Sequence, residues 1–147
     1  MYRLFCILIL SLTAVRDIRT MEIPDISCAA LLGTVIIWTP PGEIEAGLPA
    51  ALLVWICYLL SLAASSAVKR PAPIGAGDIR LFSILALQLG TRGIMTLFAV
   101  SGLLAGAAAA VLLVLKKVSA GSEIPFAPFI AAGYALMCSG LVRPGFL

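Results

Sequence analysis

Apolar segments separated by short turn-like stretches run the whole length of this chain and leave little for a water-facing surface. Six can be marked, roughly Met1–Ile18, Ile26–Thr39, Leu48–Val68, Ile74–Leu89, Gly93–Leu115 and Phe126–Val142. Between them lie Pro40-Pro41-Gly42, Lys69-Arg70-Pro71, Gly90-Thr91-Arg92 and Ser119-Ala120-Gly121. Of 147 residues, 62% are hydrophobic and 12% charged. No soluble domain of this size hides that much apolar surface. The sequence therefore predicts an all-α, polytopic membrane bundle of about six transmembrane helices. It forms one domain, 1–147, with lipid around it.

Several function classes drop out. There is no histidine, which removes Ser-His and Cys-His catalysis and histidine metal sites. Cys6, Cys28, Cys57 and Cys138 form no C-x-x-C pair and read as small buried hydrophobes, neither metal ligands nor a disulfide framework. A net charge of +3 is too small and scattered for nucleic acid. The first segment lacks a small-x-small cleavage site, so it reads as a retained helix rather than a signal peptide. No metal and no cofactor is expected.

Lys and Arg set the orientation. Arg16, Arg19, Lys69, Arg70, Arg80, Lys116 and Lys117 flank the first, third and fifth connections; Arg3, Arg92 and Arg143 lie on the other side. The positive-inside rule puts the odd connections in the cytoplasm and both termini outside.

Asp17 and Asp78 then share the cytoplasmic boundary. A carboxylate there is costly and marks function by default. The apolar run before Arg16 is shorter than a ~30 Å core needs, so either the first helix continues through Asp17 or the bilayer thins there. The same shortage suggests that Gly75-Ala76-Gly77-Asp78 dips, non-helical, into a wet notch at membrane depth.

Two aspartates in close approach cannot both ionise easily, so the pair offers a general base and a general acid together. The plain structural reading is that Asp17 pairs with Arg16 or Arg19, and Asp78 with Arg80, as interfacial salt bridges. Gly75 and Gly77 either take positive φ or allow a close approach beside Asp78. Gly102, Gly106 and Ala110 form a small-residue stripe suited to helix packing. Ser65 and Ser66 near Lys69 make a Ser-Lys dyad imaginable, but Lys69-Arg70 reads better as a stop-transfer pair.

Three elements together resemble the type IV prepilin peptidase family of membrane aspartyl proteases. The first is Asp17-Ile18-Arg19-Thr20-Met21-Glu22-Ile23-Pro24-Asp25, with an aspartate ahead of an Ile-Pro pair. The second is the G-x-G-D element Gly75-Ala76-Gly77-Asp78-Ile79-Arg80. The third is Ile124-Pro125-Phe126-Ala127-Pro128-Phe129. The resemblance implies Asp17 and Asp78 as the catalytic pair. Arg19, Ile23, Pro24, Gly75, Gly77, Arg80, Pro125, Phe126 and Pro128 would be motif or supporting residues. Asp25, Arg80 and Ala127 stand where the family often has Asn, Lys and Gly.

What the resemblance implies about function is cleavage of a short basic leader from a prepilin, pseudopilin or preflagellin-like substrate. The cut would fall at the cytoplasmic face of a prokaryotic inner membrane. Full-length members carry a cytoplasmic insertion with paired C-x-x-C motifs and also N-methylate the product. Without room for that insertion, this chain resembles the short, protease-only members, and cleavage without methylation is expected. Two alternatives are a catalytically silent pilus-assembly subunit and a small transporter using both aspartates as a proton relay.

Overall fold

The computed structural model describes residues 2–67, 75–117 and 124–142. Within these the chain is all-α, with five helices: α1 Tyr2–Thr20, α2 Asp25–Trp38, α3 Pro41–Ala67, α4 Ala76–Val114 and α5 Ala127–Cys138.

The expected count of about six spanning helices is not matched. Among the described residues, two helices, α3 and α4, are long and apolar enough to cross a bilayer. At 14 and 12 residues, α2 and α5 are apolar but only about 21 and 18 Å long. The fourth and fifth predicted segments are one element because Thr91 and Arg92 stay helical, and only Gly90 leaves helical geometry, at φ 63° and ψ −174°. Glycine is suited to that left-handed position.

The break at Gly90 reverses the chain. Phe82 and Phe98 would stand about 24 Å apart along a straight helix, yet their ring centroids are 5.5 Å apart. The element α4 is thus folded into two antiparallel limbs, 76–89 and 91–114. The first is the centre of the molecule: Ile79, Leu81, Phe82, Ser83, Ile84, Leu85 and Ala86 are all buried. Helices α2, α3 and α5 all pack on α4, and α1 packs on α2 and α5.

Patterning explains α1. Its buried residues Cys6, Leu10, Thr13, Ala14 and Asp17 recur at helical spacing along one stripe. Leu4, Leu8, Leu12 and Val15 are exposed on other faces. An apolar outer surface of this kind belongs in lipid, not water. Asp17 is therefore the last residue of a core-facing stripe.

Other expectations need correction. Helix α3 begins at Pro41, so Pro41 and Gly42 are helical rather than a turn; proline suits a first helical position, where its missing N–H is not needed. The stripe Gly102, Gly106 and Ala110 is exposed, and a Cβ at either glycine would meet nothing within 4 Å. Close packing lies elsewhere: a Cβ on Gly47 would stand 2.4 Å from the Leu87 carbonyl oxygen, so the α3 backbone rests directly on α4. The Ser-Lys pairing and the turns at Lys69-Arg70-Pro71 and Ser119-Ala120-Gly121 involve positions outside the described residues.

Candidate functional site

The C-terminal end of α1 and the N-terminal ends of α2, α4 and α5 meet at one end of the bundle. A cleft of about 340 Å³ opens there, lined by Asp17, Met21, Glu22, Ile23, Gly75, Ala76, Gly77, Asp78 and Arg80. The two aspartates that sequence analysis singled out, sixty-one positions apart in the chain, line this one cleft.

Asp17 sits in the last turn of α1, which does continue past it to Thr20. Its side chain is 6% exposed. Its Oδ2 accepts a hydrogen bond of 3.0 Å from the backbone N–H of Ala127 at the start of α5. Asp78 lies in the first turn of α4. Its Oδ1 is buried and has no hydrogen-bond partner among the described residues. A buried polar atom left unsatisfied in a native protein calls for an explanation, and a catalytic role is one.

The structural reading of both aspartates as salt-bridge partners fails. Among the described residues neither is in an ion pair, and Arg80 reaches the Asp25 carboxylate instead. Both partners of that pair are solvent-exposed. Arg16 and Arg19 are exposed on α1 and line no part of the cleft.

The G-x-G-D element is not a non-helical dip. Gly75 is the N-cap, extended at φ −68° and ψ 143°, and Ala76, Gly77 and Asp78 are already helical. The positive-φ glycines among the described residues are Gly90 and Gly140, so that role is excluded for Gly75 and Gly77. Close approach is the operative reason at Gly77. A Cβ there would stand 2.9 Å from the Ile23 Cβ and 3.1 Å from its Cδ1. Ile23 thus lies directly on the backbone beside Asp78. At Gly75 a Cβ would meet the Asp78 Oδ2 at 3.3 Å.

Pro24 is the N-cap of α2, and its carbonyl accepts from the N–H groups of Ser27 and Cys28. Pro125, Phe126 and Pro128 are half-buried and lie outside the cleft lining. Sequence reasoning missed Ala127, whose backbone N–H rather than side chain reaches Asp17. It also missed Met21 and Glu22, brought to the cleft because the link from α1 to α2 is only a few residues long. A signal for Ala127 existed: prolines at 125 and 128 limit which amides near the helix start can donate.

Residues 4–111 match the type IV leader peptidase family. The chain is also 30% identical, over 134 residues, to a prepilin leader peptidase/N-methyltransferase of Bacillus subtilis (strain 168), a match covering 87% of this chain and 51% of that protein. The chain thus spans about half the length of that relative. No solved structure matches. The family match takes in Asp17, the Ile23-Pro24 pair and the Gly75–Asp78 element; this chain belongs to the type IV leader peptidase family.

Proposed function

We propose that the chain is a membrane-embedded aspartic endopeptidase that removes the short basic leader of prepilin-like substrates at the cytoplasmic face. The observation that carries this is the sharing of one cleft by Asp17 and Asp78, the first held by a backbone N–H and the second with a buried oxygen that has no partner among the described residues. In such a pair one carboxylate takes a proton from water as its oxygen attacks the scissile carbonyl carbon. The other polarises the carbonyl, and a proton passes to the leaving amine as the C–N bond breaks. The cleft is open, so water and an extended substrate segment can enter together.

All residues that line the cleft adjoin the first and third connections, the basic side of the bundle. A cytoplasmic site follows by the positive-inside rule. By the same rule we place both termini outside. Cysteines placed at Arg19 and Glu43 should label from the cytoplasm and from outside respectively; the reverse pattern removes the cytoplasmic site.

Of the two activities in the Bacillus relative's name, we assign the leader peptidase to this chain. For these 147 residues, which contain no C-x-x-C pair, cleavage without methylation is the reading. The test is co-expression with a prepilin-like substrate, followed by its mass. Loss of the leader mass without a methyl increment is expected for the wild type, and an unchanged substrate mass for Asp17→Asn and Asp78→Asn at matched membrane levels. Turnover by either variant refutes the pair. Family membership, together with two carboxylates in one cleft, favours this reading over a silent subunit or a proton-coupled carrier.

A further inference from the structure

The start of α5 touches both halves of the cleft without lining it. Its backbone donors can be accounted for one by one. Pro128 has no N–H. The N–H groups of Phe129 and Ile130 both donate to the Phe126 carbonyl. That leaves the N–H of Ala127, which donates to Asp17 Oδ2 at 3.0 Å. Ala127 is 1% exposed, so water offers no substitute partner.

One residue earlier, Phe126 reaches the other side. Its ring centroid is 6.1 Å from that of Phe82. Phe82 is one helical turn beyond Asp78, on the same face of α4, and it is 1% exposed. The first residue of α5 and its N-cap therefore hold, respectively, one aspartate directly and the helix face that carries the other.

We infer that the Phe126-Ala127 step is the spacer that sets the separation of Asp17 and Asp78, with the Ala127 N–H and the Phe126 ring as its two contacts. Both are positioning groups that act through the aspartates and need not touch substrate. The role at position 127 belongs to the main chain. A side-chain scan that keeps the N–H misses it, and glycine and alanine are equivalent there. The inference rests on the proposed protease reading for its kinetic consequence, but not for its structural one.

The test replaces Ala127 by lactic acid, which exchanges the amide for an ester and removes the N–H while keeping the side chain and backbone shape. Cleavage should lose about tenfold or more in kcat with KM changed less than about threefold, as expected of misaligned reacting groups rather than lost binding. Ala127→Gly, which keeps the N–H, should stay within about threefold of wild type. Phe126→Ala should lower kcat in the same way, and Phe126→Leu less so. An ester variant with wild-type kcat, or one whose loss lies wholly in KM, overturns the inference. A second readout needs no activity. Thermal midpoints in detergent are compared for the ester, for Asp17→Ala and for both together. If the two groups are bonded, the combined midpoint is well above the additive expectation. Additive shifts overturn the spacer whatever the enzyme cleaves. Coupled shifts in a wild-type protein that cleaves no prepilin-like substrate would instead refute the protease reading and leave the spacer in place.

Discussion

Gly77→Ala is the sharpest perturbation of the cleft, because it adds one methyl group at a point of contact. The new Cβ would lie 2.9, 3.1 and 3.2 Å from the Cβ, Cδ1 and Cγ1 of Ile23. Carbon atoms settle at about 3.5–4.0 Å, so α4 and the Ile23-Pro24 link must part by roughly 0.5–1 Å. Overpacking of this kind costs about 1–3 kcal/mol. Alanine's better helix propensity returns up to about 1 kcal/mol. Net destabilisation is then about 0–3 kcal/mol, and the protein should still fold. Asp78 is the next residue, and it moves with the backbone. A displacement near 1 Å at reacting groups costs on the order of 10²-fold in rate. The expected result is a small shift of the thermal midpoint in detergent and a loss of cleavage of about 10²-fold. Ile23→Gly in the same chain deletes all three clashing atoms and should recover part of the rate. Undiminished cleavage by Gly77→Ala, or a double variant no better than the single, would refute the reasoning.

Asp25→Asn removes the partner of Arg80. Because both groups are exposed, the change should cost less than about 1 kcal/mol, and leave cleavage within about threefold of wild type in the same mass assay. Gly47→Ala drives a methyl into the Leu87 backbone at 2.4 Å, where no side chain can give way. Folded yield and thermal midpoint should fall by the equivalent of about 3 kcal/mol or more, while turnover per folded molecule stays near wild type. Gly106→Val faces open space and should leave the thermal midpoint and the elution volume unchanged; a shift in elution would show that this face meets another chain.

The positions of the helices were largely legible, because apolar runs and short polar breaks are local signals. Where the sequence reading failed, either the backbone geometry of one residue or the presence of a distant neighbour decided. Gly90-Thr91-Arg92 resembles a loop, but one glycine at positive φ suffices to reverse α4. Gly102 and Gly106 have packing spacing, yet spacing cannot say whether a neighbour is present. The dip assigned to Gly75–Asp78 followed from helix length alone, and it missed that Gly75 can serve as an N-cap with the helix starting at once. The two aspartates stood out because charge is rare here. The Ala127 amide did not, because a backbone donor carries no letter in the sequence.

The three ties at the cleft end resist displacement in different ways, and this bears on which substitutions the site tolerates. The Arg80–Asp25 pair is exposed and joins the first turns of α4 and α2. Water competes for both groups, so it holds them only weakly. The Gly77–Ile23 contact is steric and yields only if the backbone moves. The Ala127–Asp17 bond is buried, and breaking it strands a donor and a carboxylate away from water, which costs several times more than an exposed ion pair. Accuracy at the cleft therefore comes from the steric contact and the buried bond. Positions 25 and 80, which depart from the family's usual Asn and Lys, belong to the weakest tie. Position 127, which departs from Gly, contributes through a backbone group that Ala retains. All three departures thus fall where a change of side chain leaves the placement of Asp17 and Asp78 intact.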